Sequence, residues 1–163
     1  MKKIIGIVAL VFWFLGTQHN LLAQETYKVH SHNDYEQELP FWYAYSNGAA
    51  SIEADVFLKN GTLYVTHAEN EIKEGKTLKK LYLDRLASLE KSGELRNLQL
   101  LIDVKSEAYS TLKKLVEVLG DYPSLTQVKF VISGNRPKPE EYQNYPDFIW
   151  FDHQNLDELD KID

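Results

Sequence analysis

The chain has 163 residues, with 24 acidic and 18 basic side chains and a formal net charge of −6 at pH 7. Its 44% content of hydrophobic residues suits a packed globular domain rather than a disordered chain. Because the sequence contains no cysteine, disulfide scaffolds, cysteine zinc sites and thiol nucleophiles are excluded. The acidic balance, without a basic stripe, argues against nucleic acid as a partner.

The first 23 residues have the order of a secretory signal peptide. Lys2 and Lys3 precede an apolar run over residues 4–16, and a polar stretch then leads to the small residue Ala23. A membrane-spanning helix needs about 20 apolar residues, so this run is too short for a stable anchor. We expect cleavage near Ala23, export to the periplasm or the medium, no stable membrane span afterwards, and a mature domain over residues 24–163.

The remaining sequence alternates short apolar runs with amphipathic runs. It predicts strands at 27–32, 51–58, 98–105, 128–133 and 148–152, a hairpin arm at 63–67, and helices at 40–47, 76–91 and 108–119. Asn60 and Gly61 predict the tight turn that leads into the hairpin arm. This alternation is typical of a parallel α/β sheet that is covered on both faces.

The number of strand–helix units limits the choice of fold. A (β/α)8 barrel typically needs about 250 residues, whereas residues 24–163 supply about four and a half strand–helix units. Residues 156–163 read like the start of a further helix. The alternatives are a small open α/β sheet and the front part of a barrel. We expect an α/β chain that forms the N-terminal part of a (β/α)8 TIM barrel, truncated after about strand five.

Three successive predicted strands carry polar pairs near their carboxyl ends. Side chains two residues apart on a strand point to the same face. The pairs are His30 with His32, Glu53 with Asp55, and Asp103 with Lys105. Buried charges without partners are costly, and parallel α/β folds place their chemistry at this edge of the sheet. The three pairs therefore indicate one shared site.

The types of side chain indicate the chemistry of that site. Three carboxylates form a hard oxygen set suited to one Mg²⁺ or Ca²⁺ ion. A protonated lysine can hold an anionic oxygen, and histidines transfer protons near neutral pH. His67 ends the hairpin arm, which the turn folds back towards the second strand. A hard cation, a lysine and two histidines together suit cleavage of a phosphodiester.

These motifs resemble the glycerophosphodiester phosphodiesterase family and the wider superfamily of phospholipase-C-like phosphodiesterase barrels. The resemblance spans residues 30–105: a histidine closes the first strand, Ile-Glu-x-Asp-Val lies on the second, a histidine follows a hairpin, and an acid-x-lysine pair lies on the third. The segment His-Ser-His-Asn-Asp-Tyr at 30–35 is closest to a less-studied branch. The resemblance implies a metal-dependent phosphoric diester hydrolase of lipid metabolism, acting on a glycerophosphodiester or phospholipid-type substrate.

The resemblance also implies a role for each matched residue. In the shared pattern the carboxylates bind one divalent cation, the two histidines act as acid and base, and the lysine contacts phosphate. Carried onto this sequence, these residues are Glu53, Asp55 and Asp103 for the metal, His32 and His67 for acid/base catalysis, and Lys105 for phosphate.

Three further residues are candidates for the same site. His30 competes with His32 for the role of catalytic histidine, and the sequence leaves that choice open. Asn33 follows His32 where the common branch of the family has an arginine. Arg136, which follows the predicted fourth strand, is our candidate for the cation that this arginine would otherwise supply to the phosphate.

Two other classes of protein stay open. A His-x-His pair on a first strand also begins the zinc sites of amidohydrolase and polymerase-histidinol-phosphatase-type barrels. His67 and His153 would then be the later ligands, and the carboxylates would be unexplained. A non-catalytic exported binding module would use an aromatic surface, for which the sequence offers Phe41, Trp42, Tyr43 and Tyr45. Their helical spacing favours a place in the core instead.

Overall fold

The computed structural model describes residues 27–153, so the predicted signal peptide and the predicted helix start after residue 156 lie outside the described residues. The strands are β1 (His30–Ser31), β2 (Ser51–Lys59), β3 (Thr62–Val65), β4 (Leu98–Val104), β5 (Val128–Gly134) and β6 (Ile149–Phe151). The α-helices are α1 (Trp42–Ser46), α2 (Asp84–Ser92) and α3 (Ala108–Gly120). Short 3-10 turns cover Asp34–Glu36, Glu69–Glu71 and Pro139–Asn144, and a π-helical turn over Lys79–Leu83 precedes α2.

The six strands form one sheet. Its order is β1-β2-β4-β5-β6, and β3 pairs with β2 outside this path. Neighbours along the path are parallel, whereas β3 runs antiparallel to β2 as the returning arm of a hairpin. The chain is therefore mixed α/β with a mainly parallel sheet, as predicted. Parallel strands that follow each other in space as in sequence are compatible with part of a barrel.

The predicted elements are present with shifted ends. β1 begins at His30 rather than at the predicted residue 27, and it ends at Ser31, shortly before Asn33 turns the chain with a left-handed backbone conformation (φ 47°). The predicted helix at 76–91 begins later because its first residues pair with β3 instead. The backbone N–H of Val65 donates to the Lys76 carbonyl, and Thr77 forms a bridge with Tyr64.

The even-numbered side chains of the central strands form the core. Six of these residues on β2 and β4 are fully buried: Ile52, Ala54, Val56, Leu100, Ile102 and Val104. They belong to one hydrophobic cluster with side chains of the helices, among them Leu86 of α2 and Leu112 and Leu115 of α3. Burial of one such large side chain contributes roughly 1.5–3 kcal/mol. The alternation of β2 and β4 leaves the opposite face for polar side chains.

The described helices are short. α3, with 13 residues, is shorter than the roughly 20 residues that a membrane-spanning helix needs. Within residues 27–153, no helix combines the length and the apolar character required to cross a bilayer.

Candidate functional site

The strand register brings the predicted carboxylates together. Asp55 of β2 lies directly opposite Asp103 of β4, and Glu53 shares the face of Asp55, two residues earlier. Ligand oxygens of the three side chains lie within 4.8 Å of one another. In the part of the chain that the structure describes, they form the one group of three or more acidic or histidine side chains placed to hold a metal ion.

Asp55 and Asp103 each have one oxygen that the protein holds. The Tyr35 hydroxyl donates to Asp55 Oδ2 over 2.9 Å, and Nδ1 of His67 lies 2.8 Å from the same oxygen. Because a carboxylate only accepts, this nitrogen is the donor. Oδ2 of Asp103 accepts a hydrogen bond from Lys105 Nζ over 3.1 Å. The two Oδ2 atoms are therefore satisfied within the protein.

The second oxygen of each aspartate has no such partner. Asp55 Oδ1 and Asp103 Oδ1 are buried and accept no hydrogen bond from any described residue. A buried anionic oxygen without a partner is costly, and a cation shared by the two carboxylates would remove that cost. The residues present thus fit a hard divalent cation, which prefers oxygen ligands.

Two histidines contact Glu53 in different ways. His30 Nε2 lies 2.9 Å from Glu53 Oε2, whereas His32 Nε2 lies 3.7 Å from Oε1. The other ring nitrogen of His30 lies 2.9 Å from the Ser51 hydroxyl, to which Gln99 donates over 3.2 Å. His30 is therefore held at both ring nitrogens, while His32 has 71% of its side chain exposed.

Lys105 supplies a positive charge beside two carboxylates. Its Nζ lies 3.1 Å from Asp103 Oδ2 and 3.6 Å from Asp55 Oδ2. Partial burial works to lower the pKa of this ammonium group, but the two carboxylates outweigh burial and raise the pKa above its ordinary value. Lys105 consequently stays charged at neutral pH and can hold an anionic oxygen of a substrate.

Tyr35 and Asp34 shape the site, although the sequence predicted no role for either residue. Burial, followed by the hydrogen bond to Asp55, raises the pKa of Tyr35 far above its usual value, so its hydroxyl remains a donor. Asp34 is fully buried and accepts hydrogen bonds from the Phe41 backbone N–H, the Ser31 hydroxyl and the Tyr82 hydroxyl. The only signal in the sequence was their place in the segment 30–35, next to the two histidines.

Asn33 and Arg136 make hydrogen bonds with groups other than the carboxylates of the cluster. The Asn33 carbonyl accepts a hydrogen bond from the Glu36 backbone N–H, which makes Asn33 a turn residue. Arg136 Nε donates to the Tyr142 hydroxyl over 2.9 Å, and its guanidinium also lies 3.5 Å from the Gly134 carbonyl. Among the described residues, Arg136 makes its polar contacts with these two groups and not with the carboxylates.

The histidines expected for a zinc site, and the aromatic residues expected for a binding surface, do not cluster as those two alternative classes would require. His67 contacts Asp55, whereas His30 and His32 contact Glu53, so these three histidines do not form a shared ligand set. Phe41 is fully buried and stacks on Tyr45 with ring centroids 5.1 Å apart, as expected for core residues. Tyr43, by contrast, is 62% exposed.

Part of this chain is similar to a family of known proteins. Residues 22–96 match the family model described as an AIM6-like phosphodiesterase domain. The matched residues include both histidines of the 30–35 segment, Glu53, Asp55 and His67, and they end before Asp103 and Lys105. The chain thus contains a region similar to a phosphodiesterase-like family.

Three curated relatives share this similarity. A protein of Arthroderma benhamiae named altered inheritance of mitochondria protein 6 homolog is 37% identical over 129 residues, with 62% of this chain and 41% of the relative covered. Proteins named altered inheritance of mitochondria protein 6 are 39% identical over 64 residues in Eremothecium gossypii and 46% identical over 44 residues in Lachancea thermotolerans. These two matches cover 38% and 27% of this chain, and 16% and 10% of the relatives.

Each match covers only part of the relative's own length. The chain spans about two fifths of the length of the Arthroderma benhamiae relative and less of the other two. No solved structure is significantly similar to this chain. The comparisons therefore support a phosphodiesterase-like region around the two histidines and the Glu-x-Asp pair.

Proposed function

We propose that this chain carries the cation-binding and phosphate-binding part of an active site that hydrolyses phosphoric diesters. The observation that supports this most strongly is the carboxylate cluster. Two of its aspartate oxygens are buried with no hydrogen-bond partner among residues 27–153, and Lys105 and two histidines contact the carboxylates. The similarity of residues 22–96 to a phosphodiesterase-like family supports the same reaction class.

Glu53, Asp55 and Asp103 would hold one divalent cation, Mg²⁺ or Ca²⁺. When bound, such an ion stabilises the negative charge that develops on the phosphoryl oxygens. Lys105 holds a second anionic oxygen of the phosphate and orients it towards the cluster. The phosphate group would then be bound both by the cation and by the ammonium group of Lys105.

His32 and His67 would exchange protons with the nucleophile and the leaving group. The Nδ1 proton of His67 is engaged with Asp55, so Nε2 is the ring nitrogen left for proton transfer, and 63% of the side chain is exposed. His32 is similarly exposed and only loosely tied to Glu53. His30, which is held at both ring nitrogens, is better suited to orienting Glu53 than to moving a proton.

The proposal also covers the fold, the substrate and the export of the protein. The order of the parallel strands supports the first part of a phospholipase-C-like barrel. The resemblance of residues 30–105 supports a glycerophosphodiester or a phospholipid headgroup as the substrate. The sequence of residues 1–23 supports export through a cleaved signal peptide.

The proposal is tested by assaying the full chain on a glycerophosphodiester, a phospholipid vesicle and bis(p-nitrophenyl) phosphate, with Mg²⁺, Ca²⁺ or chelator. We expect cation-dependent turnover of at least one of the three. Glu53→Gln and His67→Ala should each lower kcat by about 10²-fold or more, with the circular dichroism spectrum unchanged. Glu140→Gln, on an exposed turn, is the matched control. Near-wild-type turnover by either site variant, or turnover that chelator leaves intact, would contradict the proposal.

A further inference from the structure

Tyr35 is a buried phenol whose hydroxyl reaches the candidate cation site. The side chain is 7% exposed, and its hydroxyl donates to Asp55 Oδ2 over 2.9 Å. The other oxygen of that carboxylate, Oδ1, has no partner among the described residues. Tyr35 therefore binds Oδ2 of Asp55 and leaves Oδ1 for a cation.

The other contacts to Asp55 Oδ2 constrain it less. His67 reaches this oxygen from an exposed position, and Lys105 lies 3.6 Å away while it is also bound to Asp103. Of these three donors the Tyr35 hydroxyl is the buried one, and within residues 27–153 its hydrogen bond goes to Asp55. Its loss would free the carboxylate to rotate about its terminal torsion, which is intrinsically soft.

Asp34 holds Tyr35 in place. Its carboxylate is fully buried and accepts from the Phe41 backbone N–H over 2.5 Å, the Ser31 hydroxyl over 3.1 Å and the Tyr82 hydroxyl over 3.0 Å. Ser31 lies before the turn at Asp34–Glu36, Phe41 lies after it, and Tyr82 lies in the core. A buried carboxylate needs such hydrogen bonds, so the segment that carries Tyr35 is fixed at both ends.

We infer that Tyr35 is a positioning residue, which fixes the Asp55 carboxylate so that Oδ1 is the oxygen left for a cation, and that Asp34 in turn fixes Tyr35. This inference rests on the proposed cation site and adds to it a specific determinant of affinity. Outer contacts of this kind typically change metal affinity by about 10–100-fold when they are removed.

The test is titration of Mn²⁺ into the full chain by isothermal calorimetry. Tyr35→Phe removes only the hydroxyl and should weaken Mn²⁺ binding by about tenfold or more, while the melting temperature of the cation-free protein changes little. Tyr109→Phe is the matched control, because the Tyr109 hydroxyl contacts Glu141 on the surface. A purely structural role of Tyr35 would lower the melting temperature and leave the Kd for Mn²⁺ unchanged.

A second variant tests the role of Asp34 without touching Tyr35 or the core. Ser31→Ala removes one of the three donors to Asp34, and we expect it to weaken Mn²⁺ binding in the same direction by a smaller factor. The inference is overturned if Tyr35→Phe binds Mn²⁺ within twofold of wild type. If Tyr35→Phe fails to fold, the inference is overturned by unchanged Mn²⁺ binding in Ser31→Ala. Absence of Mn²⁺ binding by the wild type overturns the proposed cation site itself and the inference with it, so the two failures are distinguishable.

Discussion

Gly134 lies against the carboxylate of Asp103. A Cβ atom at position 134 would stand 2.0 Å from Asp103 Oδ1 and 2.6 Å from the Val104 carbonyl oxygen, and the glycine has a positive φ of 68°. Gly134 faces the Asp103 oxygen that accepts no hydrogen bond in the part of the chain that the structure describes. The end of β5 thus needs glycine so that the Asp103 carboxylate can occupy its position between the strands.

Gly134→Ala should therefore displace Asp103 and abolish cation binding. Its matched control is Gly93→Ala, which has a similar φ of 74° but open space around the added Cβ. Both variants should lose about 1–2 kcal/mol of stability from the left-handed backbone. Gly134→Ala should lose more, because its Cβ also meets Asp103 Oδ1 and the Val104 carbonyl oxygen, and only this variant should lose cation affinity in calorimetry. Equal cation affinity in the two variants would show that Gly134 does not support Asp103.

Cation binding should stabilise the folded chain. A ligand that binds only the native state contributes about 2.7 kcal/mol at a concentration of 100 times its Kd, so Mg²⁺ or Mn²⁺ should raise the melting temperature and chelator should reverse the rise. Asp103→Asn should remove this effect, whereas Asp147→Asn, at an exposed position, should retain it. A rise that persists in Asp103→Asn would locate the cation elsewhere.

The two histidines beside Glu53 should separate in their kinetic effects. His32→Ala should lower kcat while leaving the Kd for the cation close to wild type, because His32 is exposed and only 3.7 Å from Glu53. His30→Ala should raise the Kd for the cation, because His30 orients Glu53 at 2.9 Å. The reverse pattern, measured by calorimetry and steady-state kinetics, would exchange the two roles.

Substitutions of Lys105 and Arg136, the two basic side chains that are candidates for binding phosphate, should have different kinetic effects. Lys105→Ala should lower kcat by roughly 10²–10³-fold, as expected for loss of a charge that stabilises the transition state. Arg136→Ala should raise KM for an anionic substrate by a smaller factor, because its guanidinium is already engaged with Tyr142. An unchanged KM in Arg136→Ala would remove Arg136 from the site.

Sequence patterns were sufficient for the carboxylate cluster because its members follow strand periodicity. Glu53 and Asp55 are two residues apart on β2, and parallel pairing places Asp103 opposite Asp55. The hairpin turn likewise predicted that His67 returns to β2, where its Nδ1 meets Asp55. These relationships depend on local geometry and on the order of neighbouring strands.

The supporting residues could not be predicted in the same way. The contact of Tyr35 with Asp55 spans 20 positions, and that of Tyr82 with Asp34 spans 48. Such contacts depend on how a turn packs on the core, which neither periodicity nor spacing encodes. The steric need for Gly134 similarly arises only when β4 and β5 are placed side by side.

The most direct test of the proposed cation site is a crystal of the full chain grown with Mn²⁺ and measured at a wavelength where manganese scatters anomalously. We predict one anomalous peak, coordinated by oxygens of Glu53, Asp55 and Asp103, among them Asp55 Oδ1 and Asp103 Oδ1. The absence of a peak at these carboxylates at saturating Mn²⁺, or a peak coordinated by His30 and His32 instead, would contradict the proposed cation site.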